Sequence, residues 1–244
     1  MERDNMKREA AALLRRARSG ALATALTSDQ GRPYASLVTV ALDVDGSPVF
    51  LFSELSDHTK NLAVDGRASL LIEEASRHTN PQTGPRITLV GRVDRDAEPR
   101  LRRRYLARHP SASLYAGFAD FHVFRMTVEH VHFVGGFGRA RWLGAADLLA
   151  DRAAADAIAG CEENLLLRMN GECAADVTLL ALHLLNRRGN GWQIVGVDPA
   201  GADLRRGAAF ARLQFPHPAT DGDGLATLLA EQVDAARRRS TGTG

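Results

Sequence analysis

The spacing of apolar residues changes twice along the chain, and each change marks a new kind of structure. Met6, Ala10, Leu13, Leu14 and Ala17 recur every three or four residues, which predicts an amphipathic helix ended by Gly20. From Ala21 the period falls to two. Residues 21–27 and 34–42 read as strands separated by the turn sequence 28–31, and Asp45-Gly46 marks a tight turn before a strand over 49–53. Short turns between consecutive strands predict an antiparallel meander. Ser56 or Asp57 can cap a short helix carrying His58, Thr59, Lys60 and Asn61 in its first turn.

Strands are predicted again over 68–73 and 87–95, with Ile87, Leu89, Gly91 and Val93 on one face. A polar loop over 76–85 lies between them. A helix over 100–108 buries Leu101, Tyr105 and Leu106 and stops before Pro110. Residues 121–127 and 128–134 read as two final strands that run into the glycine-rich 135–138. Six or seven short strands with few helices point to a closed or partly closed barrel.

Near Gly144 the composition shifts to Ala-rich helical sequence, with strong periodicity over 162–169 and 174–186. A strand over 192–198, a turn at 199–201, a strand over 208–215 and a closing helix over 222–239 complete a separate α+β domain. The junction falls within 144–151.

Charge and composition narrow the function. Thirty-one Lys and Arg against 29 Asp and Glu leave a net charge of +2, which gives no case for nucleic acid or an anionic membrane surface. No apolar run reaches the length of a membrane span, and no secretory signal opens the chain. Cys161 and Cys173 form neither a disulfide framework nor a zinc pattern, so a cytoplasmic setting is expected.

Three segments could carry chemistry. A helix N-terminus offers unpaired N–H groups and partial positive charge, and Ser53, Ser56 and Thr59 with His58 and Lys60 would suit a phosphate there. The run from Gly135 to Ala140 fails as a dinucleotide fingerprint, because counting from Gly136 places Arg141 where Gly or Ala is needed. It reads as a glycine-rich bend. His130 and His132 alternate and so share a strand face, with no third metal ligand at a telling spacing. No residue is assigned a catalytic role, and no metal site is assigned.

The order of the first helix, the strand after Gly31, the Asp-Gly turn, the 52–62 segment and the 67–72 strand resembles the FMN-binding split barrel of the pyridoxamine 5′-phosphate oxidase family. The ending over 135–143 is similar to the haem iron utilisation branch of that family, and 196–204 to the small domain that follows the barrel there. The resemblance implies an α+β fold: an N-terminal FMN-binding split-barrel domain over 1–143, then a smaller C-terminal α+β domain over 151–240. It implies a homodimer holding FMN between barrels and acting on a small-molecule substrate. Ser36 and Val38 would lie along the flavin ring, and Phe52 and Ser53 would border the ring and ribityl chain. His58, Thr59 and Lys60 would hold the phosphate, and Arg86, Thr88 and Trp142 would approach from the partner.

The chain departs from the family's pattern in three places. Asp57-His58 replaces a basic pair of the true oxidases, the C-terminal substrate-binding ending is missing, and Arg168 and Cys173 stand where the branch carries histidines. The expected function is an FMN-binding oxidoreductase other than a vitamin B6 oxidase. The alternative is a haem-binding or haem-degrading protein on the same scaffold, with His122, His130, His132, His183 and His217 as candidate axial ligands. A further alternative is a non-catalytic regulatory binding protein.

Overall fold

Two units divide the chain between Leu149 and Ala150 in the computed structural model, which describes residues 2–241. The first is a split antiparallel barrel. Its elements are α1 (Glu2–Arg16), β1 (Ser19–Leu26), β2 (Arg32–Thr39), β3 (Ala41–Leu42), β4 (Pro48–Ser53), α2 (Asp57–Val64), β5 (Arg67–Glu73), β6 (Arg86–Arg95), α3 (Pro99–Arg108), β7 (Phe121–Val134) and β8 (Ala140–Gly144). The strand order is β2-β1-β5-β6-β7-β4-β3, with β8 also on β7. One edge of β7 serves β4 along its first half and β8 along its second.

Leu22, Leu70, Ile87, Leu89, Met126, Val131 and Phe133 fill the barrel, and α1 adds Met6, Ala10, Leu13 and Leu14. The unbroken apolar run of β4 has a simple cause, since strands covered on both faces need no alternation. Phe50 and Phe52 point into the barrel core, while Val49 and Leu51 join Leu101 and Tyr105 of α3 in a second cluster. Asp43 is buried beside this cluster. Burial penalises its carboxylate, but the Arg100 guanidinium bonded to it wins and holds it below the usual carboxylate range. Arg125 binds it from the other side at 3.1 Å and reaches Asp45 at 2.6 Å.

Two strands expected over 121–134 are one. Phe124, Met126 and Val128 face inward, and then Val131 and Phe133 do, because the ladder with β6 shifts by one residue beside Gly91. This β-bulge leaves Glu129 without a ladder partner and reverses the alternation. The glycine-rich segment is the turn of a hairpin that leads into β8, a strand the sequence pattern does not reveal. Gly136 and Gly138 adopt φ of 127° and 75°, values that favour glycine.

The second unit holds α4 (Arg152–Asn170), α5 (Ala174–Leu179) running on through one π-type turn, and α6 (Gly222–Thr241). Its three-stranded meander is β9 (Gln193–Asp198), β10 (Gly201–Arg206) and β11 (Ala209–Gln214). β10 stands where the sequence pattern predicts only a turn and a loop. It is a strand because Ala202 and Leu204 are buried, while Asp203 pairs with Arg212 across the ladder at 3.0 Å. Arg212 also binds Asp198 at 2.8 Å, so its buried charge is fully countered. Asn170 ends α4 by bonding both backbone groups of Ile194 on β9, at 2.7 and 2.8 Å.

The bulge supplies a test of the barrel. A Cβ at Gly91 would lie 2.0 Å from the Thr127 carbonyl oxygen, a backbone atom that cannot swing aside. Gly91→Ala is expected to cost at least about 1–3 kcal/mol in urea unfolding, the usual range for overpacking. An unchanged unfolding midpoint would contradict this register.

Candidate functional site

The first candidate lies where β4 enters α2. Ser56 precedes the helix in an extended conformation and Asp57 opens the first turn. That turn aims His58 back at the barrel, where its ring meets Phe52 at a centroid distance of 4.4 Å and its Nδ1 lies 3.3 Å from the Ser36 hydroxyl. Nε2 of His58 is buried without a hydrogen-bond partner. Burial lowers the pKa of this ring, and the neighbouring Asp57 charge only partly opposes it. Val38 and Phe52 are core residues. The Ser53 hydroxyl donates to Asp120 Oδ2 at 2.5 Å and accepts from the Leu55 N–H at 3.1 Å.

The next residues face elsewhere. Thr59 is 7% exposed, and its hydroxyl has no partner. With Lys60 it lines a groove of about 410 Å³ floored by Leu62, Val93 and Phe124. Lys60 is exposed and lies 3.7 Å from Asp57. On the groove's rim, Arg95 donates to His122 Nδ1 at 2.5 Å while His122 Nε2 lies 2.6 Å from Glu54 Oε1. The guanidinium can only donate, so the His122 proton sits on Nε2 and goes to Glu54. Sequence reasoning missed this cluster, whose members are brought together only by the β4–β7 and β6–β7 pairing.

The second candidate is the outer face of the sheet. Cross-strand pairing sets Leu37, Ala21, Leu71, Thr88, His132 and Trp142 in one row from β2 to β8. A parallel row runs Ala35, Ala23, Ser69, Val90, His130 and Gly144. Neither row contains a carboxylate, Lys or Arg. The rings of His132 and Trp142 pack at 4.8 Å. Trp142 is 63% exposed and Leu37 82%. Arg86 stands one row further along β6, with Nη1 3.3 Å from the Gly84 carbonyl oxygen.

Of the ten predicted cofactor residues, the structure therefore brings Ser36, Val38, Phe52, Ser53 and His58 to one end of the barrel. Thr59 and Lys60 turn to the neighbouring groove. Arg86, Thr88 and Trp142 share the outer face. The histidines sort by their partners. His109 is buried and bonded to the Val40 carbonyl oxygen at 2.8 Å, and both nitrogens of His122 are engaged. His130 and His132 point outward on β7. In the second unit Cys173 immediately precedes α5, and it lines a groove with Arg168, Asp176 and Arg237, the last two paired at 2.7 Å.

A split antiparallel barrel with this strand order defines the class, that of the split-barrel proteins. The CREG beta-barrel family matches residues 2–149, and the chain belongs to this family. The chain is 31% identical over 228 residues to the atypical, chloroplastic heme oxygenase HOZ of Arabidopsis thaliana, covering 89% of this chain and 70% of that protein. A solved structure of a protein of unknown function from Agrobacterium tumefaciens superposes with a TM-score of 0.76 at 30% identity, over 93% of this chain and 94% of that one. A heme-binding protein from Mycobacterium smegmatis gives a TM-score of 0.55 at 28% identity, over 96% and 98% of the two chains. Among the described residues no helix is long and apolar enough to cross a membrane.

The environment of His58 makes a definite forecast. Its ring should titrate below the ordinary value of 6.5, as read by NMR. Because the fold favours the neutral ring, His58 contributes stability that is full above 6.5 and is lost as pH falls through the lowered value. A midpoint at or above 6.5 would show that burial does not govern this ring.

Proposed function

We propose that this protein binds haem and belongs with the proteins that degrade it. The observation that carries this reading is the 31% identity to a heme oxygenase, which extends through 89% of the chain and so through both units. The M. smegmatis heme-binding protein, similar over 96% of the chain, supports it independently. The barrel's outer face supports this reading too. The outer rows are free of charged side chains and carry two outward imidazoles, and Arg86 beside them offers a cation for an acidic substituent. Bound haem would supply the iron at which dioxygen and a reductant act on its ring. The chain's own share is to orient the tetrapyrrole, limit its contact with water and give the iron a nitrogen ligand.

A second reading, an FMN-binding oxidoreductase, is favoured by one feature. The unpartnered His58 Nε2 and Thr59 Oγ1 leave polar capacity at the start of α2, where the family resemblance puts the flavin phosphate. Against it, Asp57 places a carboxylate in that same first turn, 3.7 Å from Lys60. Ser53 is committed to Asp120. The free thiols of Cys161 and Cys173 suit a reducing compartment in either case, and we assign the protein to the cytoplasm.

One spectroscopic series separates the readings. Haemin added to the purified protein should give a saturable Soret band that is bleached by reductant and air as an open-chain tetrapyrrole appears. A Soret band that does not shift would remove the haem reading. Flavin absorbance in the protein as purified would favour the FMN reading instead. The resemblance to the split-barrel oxidases also supports a homodimer. Sedimentation equilibrium should return twice the mass of one chain, and a monomer at micromolar concentration would refute this.

A further inference from the structure

We propose that, among the barrel's histidines, His132 is the one that ligates haem iron, with the Trp142 indole beside it and Arg86 facing a propionate. The assignment rests on the haem reading and goes further by locating the tetrapyrrole on the outer face of the β1–β5–β6–β7–β8 sheet.

An iron ligand must present a ring nitrogen that is neither already bonded nor sealed in the core. That requirement removes most of the barrel's histidines. His109 is tied to Val40, and His122 is clamped between Arg95 and Glu54. His58 has a spare Nε2, but the atom is buried against the barrel core, out of reach of a porphyrin's iron. His78 lies outside the sheet, just after a short 3₁₀ turn of the β5–β6 loop. His130 and His132 remain, both standing off the sheet from β7.

Between these two, the surroundings favour His132. It is half-buried and packed against an indole at 4.8 Å, so its rotamer is restricted before any ligand arrives. His130 is exposed and pairs across β8 with Gly144, which offers no side chain to hold it. His132 also lies inside the apolar row, between Thr88 and Trp142, where a porphyrin would find hydrophobic contact on either side. Arg86 is two residues from Thr88 along β6, a separation of about 7 Å. A guanidinium spans that distance easily, and a bidentate Arg–carboxylate pair suits a propionate. On the neighbouring strands Leu37 and Leu71 project beside Ala21, an exposed apolar contact for the edge of a flat ligand.

The test uses the intact chain and haemin. His132→Ala is expected to weaken haemin binding at least about tenfold, a difference of about 1.4 kcal/mol, and to move the Soret maximum. His130→Ala should leave both nearly unchanged. Because an alanine could disturb packing against Trp142, His132→Gly is titrated with free imidazole, which should restore the original spectrum. In a Trp192→Phe variant the remaining indole, Trp142, should be quenched as haemin binds. If His132→Ala keeps the affinity and spectrum of the unaltered protein, or if the loss follows His130→Ala instead, the assignment is overturned while haem binding stands. A haemin Soret band that does not shift on adding the unaltered protein would overturn both.

Discussion

The single bulge between β6 and β7 decides what this barrel can do. Ten residues of β6 pair with β7, and the ladder slips once, beside Gly91. Before the slip Phe124, Met126 and Val128 fill the core. After it Val131 and Phe133 do, and His130 and His132 point outward. A regular strand would place residues 130, 132 and 134 inside, burying two imidazoles among Leu89, Leu70 and Ile87. The cost of that arrangement, several kcal/mol of polar desolvation, explains why the chain accepts an unpaired residue at Glu129. Gly91 makes the slip sterically feasible, since the carbonyl of Thr127 occupies the space a side chain would need.

The same feature explains which parts of the fold the sequence disclosed. Alternation is a reliable sign of a strand only while its phase is constant. At residue 128 the phase breaks, so one long strand reads as two. β8 escapes notice for a related reason. Arg141, Trp142 and Gly144 are exposed and only Leu143 is buried, so no alternation of apolar residues marks it. β10 hides behind its charges, of which Asp203 is paired across the ladder with Arg212. By contrast, α1, β4 and α2 are legible because each is governed by local rules: a helical stripe, an apolar run between turns, and a cap.

Sites follow the same division. The first turn of α2 is visible as a motif because its residues are consecutive. The Glu54–His122–Arg95 cluster and the His132–Trp142 pair are not, since each joins residues from different strands. Sequence period places His130 and His132 on one face, but only the register reveals that Trp142 stands beside one of them and not the other. A period gives a face and a register gives a neighbour. Chemistry needs the neighbour.

The second unit bears on the haem proposal in a different way. Its helical segment carries Arg168 and Cys173 where the sequence resemblance leads one to expect histidines, and Arg237 pairs with Asp176 in the groove that they line. Asp176 and Asp234 line the same groove and both face Arg237, so the guanidiniums beside the thiol are balanced by carboxylates. Yet similarity to the Arabidopsis heme oxygenase runs through this unit as well as the barrel. If haem is the shared ligand, the second unit offers His183 and His217 and the barrel offers His130 and His132 on its outer face. There the unengaged outward imidazoles are those the bulge turned out of the core.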